Sequence, residues 1–389
     1  MNTKEIKKTE EEYFINTFSR QPIVLDKGHG ATVYDKDGNK YTDFFAGIAV
    51  NNLGHTHPKV VEAIKTQSEK LIHISNIYYN EPNVILGKKL VDLTCLDKIF
   101  FSNSGAEANE GAIKLAIKYT GKTEIIAMKN SFHGRTIATL TATGQDAYKK
   151  DYLENLPHGF KHAEFGDIES IKNQITDETA AIMIEPIQGE GGVNIPSKEF
   201  YKQLNKLCEE KEILLILDEV QTGFGRCGSM FAYEIFGIKP DIMTLAKAMG
   251  GGMPIGAILA SDKVASAFSP GDHGTTFGGG PFVSAVANAA IDAIIEENLV
   301  NESKEKGEYF KDKLLKLKDK HSKIKEVRGM GLMIGIELKE PCSALVNKLR
   351  EKGFLVNCTA GSVLRFLPPL VISKKEIDAL IKVLNGVLE

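Results

Sequence analysis

A lysine and an aspartate at the ends of two apolar segments give the clearest chemical signal in the chain. Lys247 lies in Asp241-Ile-Met-Thr-Leu-Ala-Lys-Ala-Met-Gly-Gly-Gly-Met-Pro-Ile-Gly256, which predicts a short strand that ends on the lysine and opens into a glycine-rich turn. Asp218 follows a second apolar run, Ile213 to Leu217. A lysine amine can form a Schiff base with an aldehyde, and an aspartate can pair with a pyridinium nitrogen. Together these groups predict pyridoxal phosphate chemistry.

The surroundings of Asp218 and Lys247 favour this interpretation over a structural one. An unpaired carboxylate at the end of so apolar a strand is costly, and a protonated ring nitrogen beside Asp218 would remove that cost and keep the ring an electron sink. Gln221 could then hydrogen-bond to the phenolic oxygen of the ring. Lys247 would hold the aldehyde and then move a proton between the substrate carbon and the cofactor carbon, which requires a pKa lowered by a desolvated site. The alternatives are an aspartate paired with a local base and a surface lysine.

The segment Ser102-Asn-Ser-Gly-Ala-Glu-Ala-Asn109 predicts an anion site at the start of a helix. It follows a predicted strand, so Ser104, Gly105 and Ala106 would present free backbone N–H groups at the positive end of the helix. A cofactor phosphate would fit there. The alternative is an ordinary N-cap formed by Asn103 or Ser104.

The segment Ser131-Phe-His-Gly-Arg-Thr136 follows the next predicted strand and brings an aromatic ring, an imidazole and a guanidinium to the same sheet edge. Phe132 could stack on a flat cofactor ring, and Arg135 could bind a substrate carboxylate through two hydrogen bonds. Alternatively, Phe132 belongs to the core and His133 is a hydrogen-bonded loop histidine.

These motifs require a parallel sheet to bring them together. From about Pro58 to Leu259, apolar runs alternate with helical patterns, as in a parallel sheet covered by helices, whose ligands bind beyond the carboxyl ends of the strands. Beyond Pro281 the pattern changes to a smaller α+β region, which the N-terminal hairpin around Asp-Gly-Asn39 is expected to join. We predict an N-terminal segment over 1–57, a large domain over 58–283 and a small domain over 284–389. The predicted strands are Ile99–Phe101, Glu124–Met128, Ala181–Ile184, Ile213–Leu217, Ile242–Leu245 and Ile255–Leu259.

Composition places the chain among ordinary globular proteins. Of 389 residues, 42% are apolar and 25% charged, and the net charge of -3 gives no sign of a surface for nucleic acid or anionic membrane. The five cysteines are scattered and odd in number, which argues against a disulfide framework or a zinc site and favours a reducing compartment. The first residues are charged and lack a secretory apolar stretch, so we expect a cytoplasmic protein that acts on small metabolites.

Two other patterns offer competing interpretations. Gly223-Phe-Gly-Arg-Cys-Gly228 fits the Gly-x-Gly-x-x-Gly pattern, with Asp241 downstream, and so indicates a Rossmann-type NAD-dependent dehydrogenase. However, Asp218 lies between the strand and these glycines and would repel a pyrophosphate. His55-Thr-His57 could bind a metal, but no matching cluster of ligands follows it, and a turn before Pro58 is the simpler role.

Taken together, the segments resemble the class III pyridoxal-phosphate-dependent aminotransferases. The resemblance runs from about residue 20 to the C-terminus, and its motifs are in order at the family's spacing. It implies the fold-type I α/β architecture, with a large mostly parallel sheet domain and a smaller α+β domain, and a homodimer with shared active sites. The segments that carry it are Ser104 to Asn109, Phe132 to Arg135, Glu185 to Gly192, Asp218 to Arg226, and Lys247.

The resemblance also implies roles for individual residues. Phe132 would stack on the ring, Asp218 would pair with its nitrogen, Lys247 would carry the Schiff base, and Thr276 would contact the phosphate bound in the other subunit. The remaining cofactor-binding residues would be Ser104, Gly105, Ala106, Val220 and Gln221.

Within the class, the chain is most similar to the members that act on N2-acetylornithine. This similarity rests on the segments Phe45 to Asn51, Ser75-Asn76, Val356-Asn357 and Leu364 to Leu370. It implies transfer of the δ-amino group to 2-oxoglutarate, giving glutamate, in arginine biosynthesis.

Two further positions bear on the choice of substrate. Arg135 would hold the substrate α-carboxylate with Thr275 nearby. Enzymes for free ornithine have a tyrosine at the position of Ile48, so its absence favours the acylated substrate. Succinyl-diaminopimelate, ornithine and other ω-amino acids remain alternative substrates.

Glu190 and Arg365 offer an answer to how one site accepts two different amino donors. When paired they would form a neutral wall for the acylated substrate. When Glu190 swings away, Arg365 would be free to bind the α-carboxylate of glutamate or 2-oxoglutarate. We expect Glu190→Ala to weaken the discrimination between the two donors.

Overall fold

The computed structural model describes residues 1–389, which form fourteen α-helices and fifteen β-strands. The helices are α1 Thr3–Tyr13, α2 Ala46–Ala49, α3 Pro58–Ser68, α4 Glu81–Asp92, α5 Gly105–Thr120, α6 Ile137–Ala142, α7 Ile168–Lys172, α8 Lys198–Lys211, α9 Ala232–Phe236, α10 Asp262–Ala265, α11 Pro281–Glu296, α12 Leu299–Lys318, α13 Ser343–Glu351 and α14 Lys374–Leu388. The strands are β1 Leu25–His29, β2 Thr32–Asp35, β3 Lys40–Asp43, β4 Lys98–Ser102, β5 Glu124–Met128, β6 Phe160–Ala163, β7 Thr179–Ile184, β8 Leu214–Asp218, β9 Ile242–Leu245, β10 Gly256–Ala260, β11 Ile324–Met330, β12 Met333–Leu338, β13 Phe354–Leu355, β14 Asn357–Thr359 and β15 Val363–Phe366.

The large sheet has seven strands in the order β4-β10-β9-β8-β7-β5-β6. The predicted strands are all present, and β6 joins them at one edge. The sheet is mostly parallel, as predicted, and the exception is β10, which runs antiparallel to both β4 and β9. The physical reason is the short link from β9 to β10, because a parallel crossover needs a dozen or more residues and usually a helix.

The central strands β7 and β8 are buried along their whole length, as expected where helices cover both faces of a sheet. Helix α5 packs one of these faces through small residues, among them Ala108, Ala112 and Ala116, which lets it lie close to the strands. Its amino end therefore reaches the edge of the sheet at which β4, β5, β8 and β9 all finish.

Two smaller sheets complete the fold. The sheet β11-β12-β15-β14 is antiparallel and is covered by helix α12, on which α14 packs in turn. The predicted N-terminal hairpin is formed by β2 and β3, and Asp35 closes its turn by accepting from the Asn39 backbone N–H at 2.8 Å. Strand β13 pairs with β3, so the second small sheet combines strands from both ends of the chain. The three domain limits given above stay a prediction.

A disulfide joins Cys342 and Cys358, whose Cα atoms are 5.7 Å apart. The scattered cysteines argued against a disulfide framework, and this single bond was not predicted. Helix α13 and the turn after it fold the intervening segment back on itself, so two cysteines that are distant in sequence meet in space. Cys95, Cys208 and Cys227 are free. None of the helices is both long enough and apolar enough to cross a membrane.

Candidate active site

A pocket of about 480 Å³ lies beyond the carboxyl ends of the parallel strands of the large sheet. Each predicted motif follows one of these strands, so the folding of the sheet brings them to the same wall. The pocket contains ten of the predicted site residues: Ser104, Gly105, Ala106, Phe132, Arg135, Glu190, Asp218, Val220, Gln221 and Lys247.

The amino end of α5 forms one side of the pocket. Ser104 is the N-cap residue, and its hydroxyl accepts from the Glu107 backbone N–H at 3.2 Å. The N–H groups of Gly105 and Ala106 in the first turn have no intrahelical acceptor, and they line the pocket. A Cβ at Gly105 would lie 2.8 Å from Val220 Cγ1, so a larger residue would push these N–H groups away. The capping and the anion-binding interpretations thus both describe this helix end.

Asp218 lies at the floor of the pocket in a hydrogen-bonded network that the motifs did not reveal. Its Oδ2 accepts from Asn109 Nδ2 and pairs with His133 Nδ1, both at 2.8 Å. Thr244 donates to Asn109 Oδ1 at 2.7 Å and fixes the amide. Burial opposes protonation of His133, but the hydrogen bond and charge of Asp218 outweigh it and raise the pKa of the imidazole. The network holds a negative charge at a position that is only 4% exposed.

Lys247 projects into the pocket from the first residue of a short 3-10 helix, Lys247–Gly250. Its backbone has φ of +45°, a conformation that non-glycine residues rarely adopt and that is common at functional sites. No protein group hydrogen-bonds to its amine, although the side chain is only partly exposed through the pocket. Burial lowers the pKa of Lys247, against the opposing charges of Glu190 and Asp218. This is the environment that an amine needs to act as a nucleophile or base near neutral pH.

Arg135 stands at the exposed side of the pocket without an ion-pair partner. Its guanidinium carbon lies 4.1 Å from the ring centre of Tyr148 and 5.6 Å from that of Phe132. The two rings meet edge to face at 5.8 Å. The aromatic pair holds the arginine through cation–π contacts without neutralising its charge, so the guanidinium is available to a carboxylate ligand. Tyr148 gave no signal in the sequence, because it comes from a separate loop.

Glu185 connects the segment that follows β5 to the loop that follows β7. Its carboxylate accepts from the backbone N–H of Phe132 at 3.0 Å and of Gly189 at 3.2 Å. Burial raises its pKa to about 7. Glu185 stands in a motif that carries the family resemblance as a whole, but no role followed from its position there.

Glu190 and Arg365 form an ion pair behind the pocket, with Arg365 Nη1 2.7 Å from Glu190 Oε1. Arg365 is 1% exposed and also donates to Gln221 Oε1 at 3.3 Å and to Asn357 Oδ1 at 2.8 Å. Burial would raise the pKa of Glu190, but the charge and hydrogen bond of Arg365 outweigh it and lower that pKa. The expected pairing is therefore present in the structure.

Thr275 and Thr276 lie outside the pocket wall. Asn103 Nδ2 donates to Thr275 Oγ1 at 3.1 Å, which places the loop beside the start of α5, and Thr276 is exposed to solvent next to it. Ile48 is also largely exposed, and Val50 rather than Ile48 contributes to the pocket. The structure of one chain therefore does not bring Thr276 to the phosphate cradle of that same chain.

The two competing sequence patterns do not form ligand sites. Gly223 to Gly228 is not followed by a helix that could bind a pyrophosphate, since α9 has only five residues. Arg226 within it is buried and donates to the backbone oxygen of Leu332 at 2.9 Å, so the segment is a packed contact. His55 pairs with Asp43 at 2.8 Å, and His57 is the N-cap residue of helix α3.

The side chains of the pocket fit pyridoxal phosphate. The free N–H groups at Gly105 and Ala106 suit its phosphate, Phe132 offers a flat apolar surface, and the buried carboxylate of Asp218 suits a protonated ring nitrogen. The strongest observation is the amine of Lys247, which is desolvated and has no hydrogen-bond partner of its own. This amine could form a Schiff base with an aldehyde bound in the pocket.

Comparisons with known proteins cover the whole chain. Residues 15–388 match the family described as aminotransferase class-III. The chain is 54% identical over 388 residues to the acetylornithine aminotransferase of Methanothermobacter thermautotrophicus, covering 100% of this chain and 99% of the relative. It is 56% identical over 386 residues to that of Methanocaldococcus jannaschii, covering 97% and 96%.

Two solved structures show how far this likeness extends in three dimensions. The ornithine aminotransferase from Toxoplasma gondii ME49 has a TM-score of 0.94 at 33% identity, covering 100% of this chain and 95% of that one. The acetylornithine aminotransferase from Elizabethkingia anophelis has a TM-score of 0.89 at 34% identity, covering 100% and 99%.

Proposed function

Because the chain belongs to the class-III aminotransferase family, whose members use pyridoxal phosphate, we propose that it transfers the δ-amino group of N2-acetylornithine to 2-oxoglutarate. The predicted family, fold class and cofactor are confirmed. The products are the acetylated glutamate semialdehyde and glutamate, and the reaction belongs to arginine biosynthesis. We also propose a cytoplasmic location. The observation that carries the proposal is that the Lys247 amine, which has no hydrogen-bond partner, lines the same pocket as the Asp218 carboxylate.

Each part of the cofactor has a group to hold it. Gly105 and Ala106 would bind its phosphate through their N–H groups, Phe132 would cover one face of the ring, and Asp218 would pair with the ring nitrogen. Lys247 Nζ would hold the aldehyde carbon. When bound, pyridoxal phosphate supplies a sink for the electrons that remain when the substrate carbon loses its proton.

The protein supplies the charge placement and the proton transfer. The Asp218 carboxylate is held by Asn109 and His133, and a carboxylate in this position would favour a protonated ring nitrogen. The amine of Lys247 would act as the base that moves the proton between the substrate carbon and the cofactor carbon. Its lowered pKa makes the free amine available for this task.

The two substrates differ at the reacting carbon, which bears a carboxylate in glutamate and 2-oxoglutarate but not in acetylornithine. Arg135 is the free guanidinium that would bind the α-carboxylate of acetylornithine. The Glu190–Arg365 pair would close the wall for this substrate, whereas the α-carboxylate of 2-oxoglutarate or glutamate would displace Glu190 and bind Arg365.

A homodimer is part of the proposal. The segment 71–85 and the loop that carries Thr275 and Thr276 are held together, since Asn76 Nδ2 donates to Thr275 O at 2.9 Å. Contiguous exposed apolar side chains on a single chain usually mark an interface. Thr276 would then reach the phosphate site of the partner. The exposed side chains are Leu71, Ile72, Ile77, Tyr78, Tyr79, Val84, Ile85 and Phe277.

Half-reactions test the proposed function. The purified protein, loaded with pyridoxal phosphate, is mixed with acetylornithine, ornithine, succinyl-diaminopimelate or 4-aminobutyrate, and the change of the visible band is followed. We expect acetylornithine to react with the highest kcat/KM and 2-oxoglutarate to restore the band. Faster reaction of ornithine would overturn the argument from Ile48, and a band that ignores every donor would overturn the enzyme assignment.

A further inference from the structure

Strand β14 presents two polar side chains to the Glu190–Arg365 pair. Asn357 and Thr359 are two residues apart, so they lie on the same face of the strand, while Cys358 points to the other face. Arg365 Nε donates to Asn357 Oδ1 at 2.8 Å. Thr359 Oγ1 donates to the backbone oxygen of Glu190. One short strand thus contacts both members of the ion pair.

The contact with Asn357 orients the arginine without neutralising it. Asn357 and Arg365 are directly opposite each other in the β14–β15 register, which fixes their separation. The amide oxygen of Asn357 accepts from Nε of the guanidinium. Nη1 donates to Glu190, and Nη2 has no protein acceptor. The Nη edge therefore points at the place where an incoming carboxylate would replace Glu190.

The contact with Thr359 acts on the other member of the pair. Thr359 binds the main chain of Glu190 and leaves the Glu190 carboxylate free to rotate. The loop is held a second time where Arg328 Nη2 donates to Gly192 O at 2.7 Å. The backbone of the loop is thus fixed to the C-terminal sheet, and only the Glu190 side chain can move away from Arg365.

We propose that Asn357 and Thr359 are positioning residues that set the substrate selectivity of the Glu190–Arg365 pair. This inference rests on the proposed function, because it concerns how the same site accepts a dicarboxylate. Asn357 must be a neutral acceptor. A carboxylate at that position would pair with Arg365 permanently and remove the charge that a ligand carboxylate needs.

The substitution Asn357→Asp tests this requirement with almost no change in shape. The dissociation constant of glutarate, a five-carbon dicarboxylate with no reacting amine or ketone, is measured by calorimetry on the cofactor-loaded protein. We expect it to rise ~10-fold or more, because the introduced charge competes for Arg365. The Michaelis constant for the oxo-acid acceptor should rise with it.

The chain offers a matched control for the added charge. Asn347 lies on the exposed side of α13, and its Oδ1 accepts from Arg350 Nη1 at 2.9 Å. Asn347→Asp makes the same chemical change beside an arginine and should leave glutarate binding unchanged.

A second variant tests the proposal in the opposite direction. Thr359→Val keeps the size of the side chain but releases the Glu190 backbone, so the pair should open more readily. We expect tighter glutarate binding and weaker discrimination between acetylornithine and glutamate. If Asn357→Asp does not fold, the outcome with Thr359→Val decides the proposal.

Different results would overturn the proposed function and the role of Asn357 and Thr359. A wild-type protein that transaminates neither acetylornithine nor glutamate would overturn the proposed function. A wild-type protein that transaminates both, with unchanged glutarate affinity in either folded variant, would overturn the role of Asn357 and Thr359 alone.

Discussion

Replacing Glu190 by glutamine removes the charge that competes with a ligand for Arg365. The pair joins a guanidinium that is 1% exposed to a carboxylate that is 21% exposed. Breaking a fully buried pair costs about 3–5 kcal/mol, and an exposed pair contributes about 0–1 kcal/mol. Because Glu190 keeps some contact with water, we take the free-energy cost of breaking this pair as ~2 kcal/mol.

This energy sets the expected change in substrate affinity. A dicarboxylate must displace Glu190 in the wild type but not in Glu190→Gln, so its affinity should increase ~30-fold. Acetylornithine brings no carboxylate to Arg365, and in the variant it faces an uncompensated charge, so its kcat/KM should fall. A free-energy change of about 1.4 kcal/mol corresponds to a factor of ten. The ratio of kcat/KM for glutamate over acetylornithine should therefore rise by more than tenfold.

Stopped-flow half-reactions followed in the visible band measure this ratio for each donor separately. Glu190→Asp is the control, since it keeps the charge on a shorter side chain and should give an intermediate ratio. If Glu190→Gln changes neither the ratio nor the Michaelis constant for the oxo-acid acceptor, the pair does not control access to Arg365.

Four further predictions follow from the site and the fold. Lys247→Ala should lower kcat by about 10⁴-fold or more, since base and attachment point are lost together, while equilibrium dialysis still detects bound cofactor; residual turnover near the wild-type rate would contradict this. Asp218→Asn should lower kcat by about 10²–10³-fold, because the ring nitrogen loses its counter-charge, and steady-state assays giving wild-type kcat would refute that role. The raised pKa of Glu185 means that the folded state binds more protons than the unfolded state from about pH 4.5 to 7, so wild-type stability falls over that window. In urea unfolding from pH 5 to 8, wild-type stability should therefore fall by about 3 kcal/mol relative to that of Glu185→Gln, and a constant difference would contradict the shift. The Cys342–Cys358 bond closes a 16-residue separation, so Cys342→Ser should cost ~3 kcal/mol of stability, and five reactive thiols in the unreduced, denatured protein would show that the bond does not form.

Much of the site could be predicted from the sequence because its residues follow apolar strands. Asp218, Lys247 and Phe132 each stand next to a run that must be buried, and parallel strands place their carboxyl ends at one edge. The type and spacing of such residues are therefore enough to indicate a common pocket.

The residues that surround these groups could not be predicted in the same way. Asn357 contacts Arg365 through pairing between two short strands, and Tyr148 approaches Arg135 from an irregular loop. Neither contact leaves a periodic pattern in the sequence. Their positions depend on strand register and loop conformation, which tertiary packing decides.

The same limit applies to parts of the fold. Periodicity identifies β10 as a strand but not its direction, because a buried strand has the same apolar pattern whichever way it runs. Strand β11 escapes prediction since two of its side chains, Lys325 and Glu326, are charged and exposed. The disulfide escapes prediction because only the folded path of α13 brings Cys342 to Cys358.

The most direct test of the central claim is the ratio of kcat/KM for N2-acetylornithine over ornithine, with 2-oxoglutarate as acceptor and both products identified by mass spectrometry. The account predicts a ratio well above one, with acetylated glutamate semialdehyde and glutamate formed in equal amounts. A ratio below one, or no glutamate from either donor, would contradict it.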